Sequence, residues 1–132
     1  MDPIRRLEEE GYTLHDGILS AVHVDYIRSE VALTIAVDTS SPDQAQSDNQ
    51  MQRCIVSFRD ILFVTMDAQK AMDRRECEQG LLIDVGPLEG ERLARVWSTP
   101  VPIGYYVYWI FVAELNGFIY ICGCDGGIEW VT

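Results

Sequence analysis

The sequence is nearly without lysine and poor in histidine. Lys70 is the only lysine among ten basic residues, and two histidines stand beside 21 acidic residues. The net charge of −11 argues against nucleic acid and anionic membranes as partners, because both are negatively charged themselves. It favours a basic protein partner, which long-range attraction would steer onto the surface.

Long hydrophobic runs are also lacking. The longest, residues 105–113, is about half of the roughly 20 residues that a transmembrane helix needs. The first ten residues are charged and lack the apolar run of a signal peptide. We therefore expect a cytoplasmic protein whose four cysteines are reduced: Cys54, Cys77, Cys122 and Cys124.

Alternation of apolar and polar residues dominates the chain. At 132 residues the length predicts a single domain, residues 1–132, with a core that needs neither disulfide nor metal. The pattern predicts an α+β fold, mostly β: an antiparallel sheet or a two-layer β fold with about nine strands and two short helices. The predicted strands are 18–27, 31–37, 53–59, 61–66, 81–85, 92–98, 104–115, 118–124 and 128–131.

Capping and turn residues predict the remaining elements. Asp2 followed by Pro3 predicts the start of a helix over residues 4–10, and Asp67 predicts the start of a second over 67–79. The polar stretch at about 39–52 is predicted to be a long, mobile loop. Asn116-Gly117 predicts a type I′ hairpin turn, and residues 125–127 a further turn.

Four local patterns invite a chemical reading, and none supports a site. Cys122 and Cys124 would share a strand face, but they lack the paired partner ligands of a zinc site. Ser20 would point away from His23 and Asp25, which excludes a catalytic triad. We expect Asp16 and Gly17 to form the turn that enters the first strand, with His15 hydrogen-bonding locally. The acids of the polar loop region do not follow a calcium-loop spacing: Asp38, Asp43 and Asp48.

We accordingly predict no catalytic residue, no metal, no cofactor and no membrane partner. The aromatic residues are the remaining candidates for an interface or a pocket: Tyr105, Tyr106, Tyr108, Trp109, Trp97 and Trp130. Along residues 105–113 both strand faces are apolar. One face is expected to lie in the core, and the other to form a homodimer contact or a partner site, or to be covered by a second sheet.

The first half of the chain resembles a known group of proteins. Residues 14–19 (LHDGIL) are followed by a hairpin, a polar loop and residues 54–61 (CIVSFRDI). These features resemble small β-rich bacterial proteins with a Leu-His-Asp start, several of which belong with polymorphic-toxin immunity proteins. The resemblance implies a non-catalytic protein that occludes a cognate toxin, and it implies no particular site residue.

Three functions remain open at this point. The first is an acidic binding protein of the immunity type. The second is a small-molecule-binding domain with Tyr105, Tyr108, Trp109, Trp97 and Trp130 lining an apolar pocket. The third is an enzyme with a dispersed site. We expect the first in preference to the others.

Overall fold

The described part of the chain folds into one antiparallel β-sheet with two short α-helices. A computed structural model describes residues 1–39, 51–67 and 80–131. In chain order the elements are α1 (Pro3–Glu9), β1 (Tyr12–Asp25), β2 (Glu30–Thr39), β3 (Gln52–Arg59), β4 (Phe63–Met66), β5 (Leu81–Pro87), α2 (Gly90–Val96), β6 (Tyr106–Val112), β7 (Gly117–Gly123) and β8 (Asp125–Trp130). The mostly-β prediction is confirmed, with eight strands in the described part of the chain.

Two predicted segments cannot be compared with the structure. The polar loop at about 39–52 falls mainly on residues 40–50, and the helix over 67–79 falls on residues 68–79. Both lie outside the described residues.

The sheet closes on itself through two continuous segments. Its order is β4-β7-β6-β5-β1-β2-β3-β8, with antiparallel neighbours throughout. The strands at the two ends of this order continue inner strands along the chain, because β4 follows β3 and β8 follows β7. Since β3 pairs with β8 and β4 pairs with β7, the segments β3–β4 and β7–β8 pair with each other and close the sheet. Between the two paired stretches, the three residues 60–62 lie opposite the two residues 123 and 124. The extra residue is a bulge, and it bends the paired segments. Asp60, at this bend, adopts a left-handed backbone conformation with a φ of 51°.

The core lies inside this closed sheet. On β2 the apolar residues at every second position are all buried, and β3 contributes its alternate residues in the same way: Val31, Leu33, Ile35, Val37, Cys54, Val56 and Phe58. Strand β6 contributes Ile110 and Val112 and β7 contributes Ile119 and Ile121. Alternate side chains of a strand point to opposite faces, so this spacing follows directly from strand geometry.

Helix α1 closes one end of the core. The Asp2 carboxylate accepts hydrogen bonds from the backbone N–H groups of Ile4 (3.1 Å) and Arg5 (3.2 Å), as expected for an N-cap. Ile4 and Leu7, three residues apart, point inward and are almost fully buried among the core residues. The predicted first helix is therefore confirmed, one residue earlier at each end.

The segment predicted as a strand over 92–98 is instead a helix, α2. Its partly buried residues are Leu93, Val96 and Trp97, whose spacing of three and four is that of a helix face. The segment also contains good helix formers, among them Leu93 and Ala94.

Two turn predictions need correction. Residues 125–127 are not a turn, because β8 starts at Asp125, and Gly126 and Gly127 pair with Phe58 and Ser57 of β3. The hairpin of β6 and β7 is present, but four residues separate the paired Val112 and Gly117. A 3₁₀ turn over Ala113–Leu115 and a left-handed Asn116 replace the two-residue turn.

Strand β1 begins at Tyr12, six residues earlier than predicted. Asp16 has a φ of 58°, and the pairing register with β2 shifts between Thr13 and Ile18. The turn signal of Asp16 and Gly17 therefore marks a bulge inside the strand and not its start.

No helix in the described ranges has both the length and the apolar character needed to span a bilayer.

Candidate functional site

The six aromatic candidates lie in four different places. Tyr105, Tyr106 and Tyr108 line one surface groove. Trp109 lies on the outer face of β6, Trp97 stacks on Phe63, and Trp130 packs against Tyr12. The structure therefore brings three of the six residues together, and the five residues considered for one apolar pocket do not meet.

Strand β6 positions the groove tyrosines by its alternation. Tyr106 and Tyr108 share the inward face with Ile110 and Val112, which are 1% and 2% exposed. The rings of Tyr106 and Tyr108 lie 5.7 Å apart. Their hydroxyl groups reach the α1 end of the sheet, where the Tyr106 hydroxyl donates to the Asp125 carbonyl oxygen and the Tyr108 hydroxyl donates to the Asp2 carboxylate.

The opposite face of β6 carries an aromatic cluster that is only partly covered. Trp109 and Phe111 contact Phe118 of β7, with ring centres 6.1 and 5.0 Å apart. The Arg92 guanidinium of α2 lies 5.6 Å from the centre of the Trp109 ring, a cation–π distance. Part of the cover expected for this face thus comes from a helix.

The groove with the three tyrosines, which we call the tyrosine groove, has a volume of about 430 Å³. Its walls are the β5–α2 connection, Leu93 of α2, and residues 101–104 before β6. The Leu88 N–H donates to the Val107 carbonyl oxygen (2.9 Å), which holds the connection beside β6. Glu89 stands exposed at the rim, and its side chain does not cap α2.

Asp2 joins two elements at the groove, α1 and β6. One carboxylate oxygen caps α1, and the other accepts the Tyr108 hydroxyl hydrogen bond. The carboxylate is thereby fixed in a half-buried position at the groove. A fixed, half-buried negative charge acts more strongly on a neighbouring ion than an exposed, mobile one does.

Burial and nearby acidic groups raise the pKa values of the groove tyrosines. Burial raises the pKa of Tyr106 and of Tyr108, and the Asp2 carboxylate raises the pKa of both further. Smaller contributions come from Asp125 at Tyr106 and from Glu8 at Tyr108. The pKa of Tyr105 is raised first by the Cys124 thiol and, among lesser causes, by Asp60. The hydroxyls stay protonated at neutral pH, and the Asp2 carboxylate beside them would attract a cation.

The sequence pattern indicates the tyrosines but not their partners. It marks Asp2 only as a helix cap, and it singles out neither Glu89 nor Ile103. Ile103 is 104% exposed, an isolated apolar side chain at the groove. Its position after the two prolines of the segment 99–102 was a local signal for an outward-facing loop.

Cys122 and Cys124 lie in different surroundings. Cys122 is fully buried, and burial raises its pKa to about 11. The Cys124 thiol instead donates to Asp60 at 3.8 Å. Within residues 1–39, 51–67 and 80–131, no group of three or more His, Cys, Asp or Glu side chains is arranged to hold a metal ion.

Ser20 and Asp25 bond to the local backbone. The Ser20 hydroxyl donates to the Thr34 carbonyl oxygen at 3.2 Å, and the Asp25 carboxylate accepts the N–H groups of Ile27 and Arg28, each at 3.0 Å. Both side chains therefore support the β1–β2 hairpin.

His15 lies between two carboxylates on the outer surface. Its Nδ1 is 3.1 Å from Asp84 on β5, and its Nε2 is 3.5 Å from Asp16. The hydrogen bond to Asp84 and the charge of Asp16 raise the pKa of His15. His15 thus contacts its neighbour Asp16, as expected of a local interaction. Its second partner, Asp84, comes from another strand, β5.

Comparison with known proteins returns no match for this chain, whether against protein-family models, curated proteins or solved structures.

Proposed function

We propose that this protein binds a basic protein partner at the tyrosine groove and occludes it, in the manner that the resemblance to immunity proteins implies. The observation that carries the proposal is the electrostatic environment of the three tyrosines. Beside burial and the Cys124 thiol, carboxylates raise their pKa values, and Asp2 is held in place by its hydrogen bond from Tyr108. The groove is thus suited to a cationic surface.

The residue types of the groove support protein recognition. Tyrosine buries a large apolar ring while its hydroxyl keeps a polar contact, and it is enriched in protein interfaces. The groove is apolar along Leu88, Val101 and Pro102, and acidic at Asp2 and Glu89. Protein interfaces likewise combine apolar contact area with polar and charged groups.

The net charge supports fast association with a basic partner. With −11 on 132 residues, the long-range field attracts a basic protein before contact is made. Attraction of this kind weakens as ionic strength rises, because salt screens exposed charges.

The test uses the products of the open reading frames next to the gene for this chain. Each product is purified and titrated against the protein by calorimetry at low and high salt. We expect one basic product to bind, to bind more weakly at high salt, and to lose its toxicity to growing cells when the two are expressed together.

Matched variants locate the contact. Glu89→Gln at the groove should weaken binding about two- to fivefold, the range of an exposed ion pair. Glu129→Gln makes the same change of charge on β8, away from the groove, and should leave binding unchanged. Equal effects of both variants, or the absence of any basic partner among the products, would contradict the proposal.

An apolar cavity supports a second candidate function, the binding of a small apolar molecule. The cavity holds about 220 Å³ between β1, β6 and β7, and its lining includes Val22, Val112 and Ile119. Among the described residues that line it, Asp67 is the only charged one. The volume is below the roughly 300 to 1,000 Å³ of typical ligand sites, which ranks this function second. If it is correct, an apolar ligand should raise the melting temperature, and Val22→Trp should abolish that increase.

A further inference from the structure

The tyrosine groove offers two chemically different regions to one occupant. One wall is apolar, formed by Leu88, Val101 and Pro102, and Ile103 stands fully exposed beside it. The other region holds tyrosine rings and carboxylates. A long side chain with an apolar stem and a cationic end matches both regions at once.

The fixed charge of Asp2 gives the cationic end a defined location. Its carboxylate is held from two sides, by the first backbone N–H groups of α1 and by the Tyr108 hydroxyl. The hydrogen bonds position the negative charge without cancelling it. Glu89 at the rim and Asp60 near Tyr105 add further negative charge around the rings.

We infer that the groove receives an arginine side chain of the basic partner, an inference that rests on the proposed function. The stem lies along Leu88, Val101 and Pro102, and the planar guanidinium lies on a tyrosine ring within reach of Glu89. Guanidinium groups stack on aromatic faces and donate paired hydrogen bonds to carboxylates. Lysine has a compact, strongly hydrated charge and would gain less from the three rings.

Other occupants fit the groove less well. An anionic ligand would face the carboxylates that raise the pKa values of the tyrosines. A second copy of this chain would bring another net charge of −11 to an already acidic surface.

The experiment is a nuclear magnetic resonance titration of the ¹⁵N-labelled protein with N-acetyl-arginine methylamide. The matched control probe is the citrulline analogue, which keeps the shape and loses the charge, and a lysine analogue retains the charge without the planar group. We expect saturable shifts of groove amides with arginine, and an affinity for citrulline that is about two- to fivefold lower than that for arginine. The affinity for lysine should lie between them.

Variants tie the shifts to named side chains. Tyr105→Leu and Glu89→Gln should each weaken arginine binding, whereas Glu129→Gln should not, with circular dichroism confirming that each variant is folded. Equal affinity for arginine and citrulline would overturn the inference. The inference would also be overturned if arginine shifted amides over the whole surface and if Glu129→Gln weakened binding as much as Glu89→Gln does.

The two proposals fail in distinguishable ways. If a basic partner binds and protects amides from hydrogen exchange away from the groove, the arginine site is wrong and the binding function stands. If arginine binds the groove and no basic protein partner exists, the proposed function is wrong although the site recognises guanidinium. If neither the probe nor a partner binds, both are wrong.

Discussion

At the scale of single residues, two adjacent glycines of β8 face very different surroundings. A Cβ on Gly126 would lie 2.4 Å from the Ser57 carbonyl oxygen and 2.7 Å from the Pro3 ring. A Cβ on Gly127 would meet only the end of the Arg59 side chain, at 2.9 Å. Backbone cannot move away cheaply, whereas a long exposed side chain can.

Gly126→Ala should therefore destabilise the protein by about 1–3 kcal/mol, the usual cost of overpacking. Gly127→Ala is the matched control and should change the free energy of unfolding by about 0.5 kcal/mol or less. Urea unfolding of both variants measures the difference. Equal stability of the two would mean that α1 and β3 do not pack against β8 as closely as the structure has them.

His15 should make the stability depend weakly on pH. Asp84 and Asp16 raise its pKa above the unfolded value of 6.5. A raised pKa in the folded state adds stability that is fully present below pH 6.5 and is lost as the pH rises through the folded pKa. The side chain is exposed, so the effect is small.

A titration of the His15 ring protons by nuclear magnetic resonance measures this shift directly. Asp84→Asn should lower the pKa of His15, because the largest cause is the hydrogen bond to Asp84. An unchanged pKa in this variant would show that the contact does not persist in solution.

At the scale of elements, the two helices have opposite relations to the core. Helix α1 buries Pro3, Ile4 and Leu7, whereas α2 has no buried residue. The first helix therefore forms part of the core, and the second lies on the surface and shapes the tyrosine groove.

Leu7→Ala should cost about 2–5 kcal/mol of stability, as expected for a fully buried leucine that leaves a cavity. Leu93→Ala on α2 is the comparison and should cost about 1 kcal/mol or less, because Leu93 is already partly exposed. Thermal unfolding followed by circular dichroism ranks the two variants. A larger loss from Leu93→Ala would contradict the assigned roles of the helices.

At the scale of the whole molecule, the closed sheet makes every strand depend on its neighbours. Strand β1 pairs with β2 and β5, and the joined segments of β3, β4, β7 and β8 complete the circuit. One continuous core fills the interior. Such an arrangement favours unfolding in a single cooperative step.

We expect unfolding curves from tryptophan fluorescence and far-ultraviolet circular dichroism to coincide. Trp97 follows α2, while Trp109 and Trp130 lie on β6 and β8, so fluorescence reports on both sides of the sheet. Two separate transitions would show that part of the sheet unfolds independently and that the closure is weak.

Local sequence patterns were sufficient for elements whose neighbours in the chain determine their structure. Asp2 and Pro3 start α1 because an N-cap involves only the next three residues. The alternation from Val31 to Val37 predicts β2 because one face of that strand is buried along its full length. The same alternation of side chains predicts the two faces of residues 105–113, and Ile110 and Val112, on one of these faces, lie in the core.

The remaining features depend on contacts between distant residues. Gly126 and Gly127 look like a turn in sequence, but β3 pairs with them and keeps the chain extended. The Asp2–Tyr108 hydrogen bond joins residues 106 positions apart. The sequence by itself therefore determined that the protein is acidic, which follows from its composition, and that it is rich in β-strands, which follows from the pattern of near neighbours. Closure of the sheet alone decided that carboxylates and tyrosines meet in one groove, since it brings the first residues of the chain against β6.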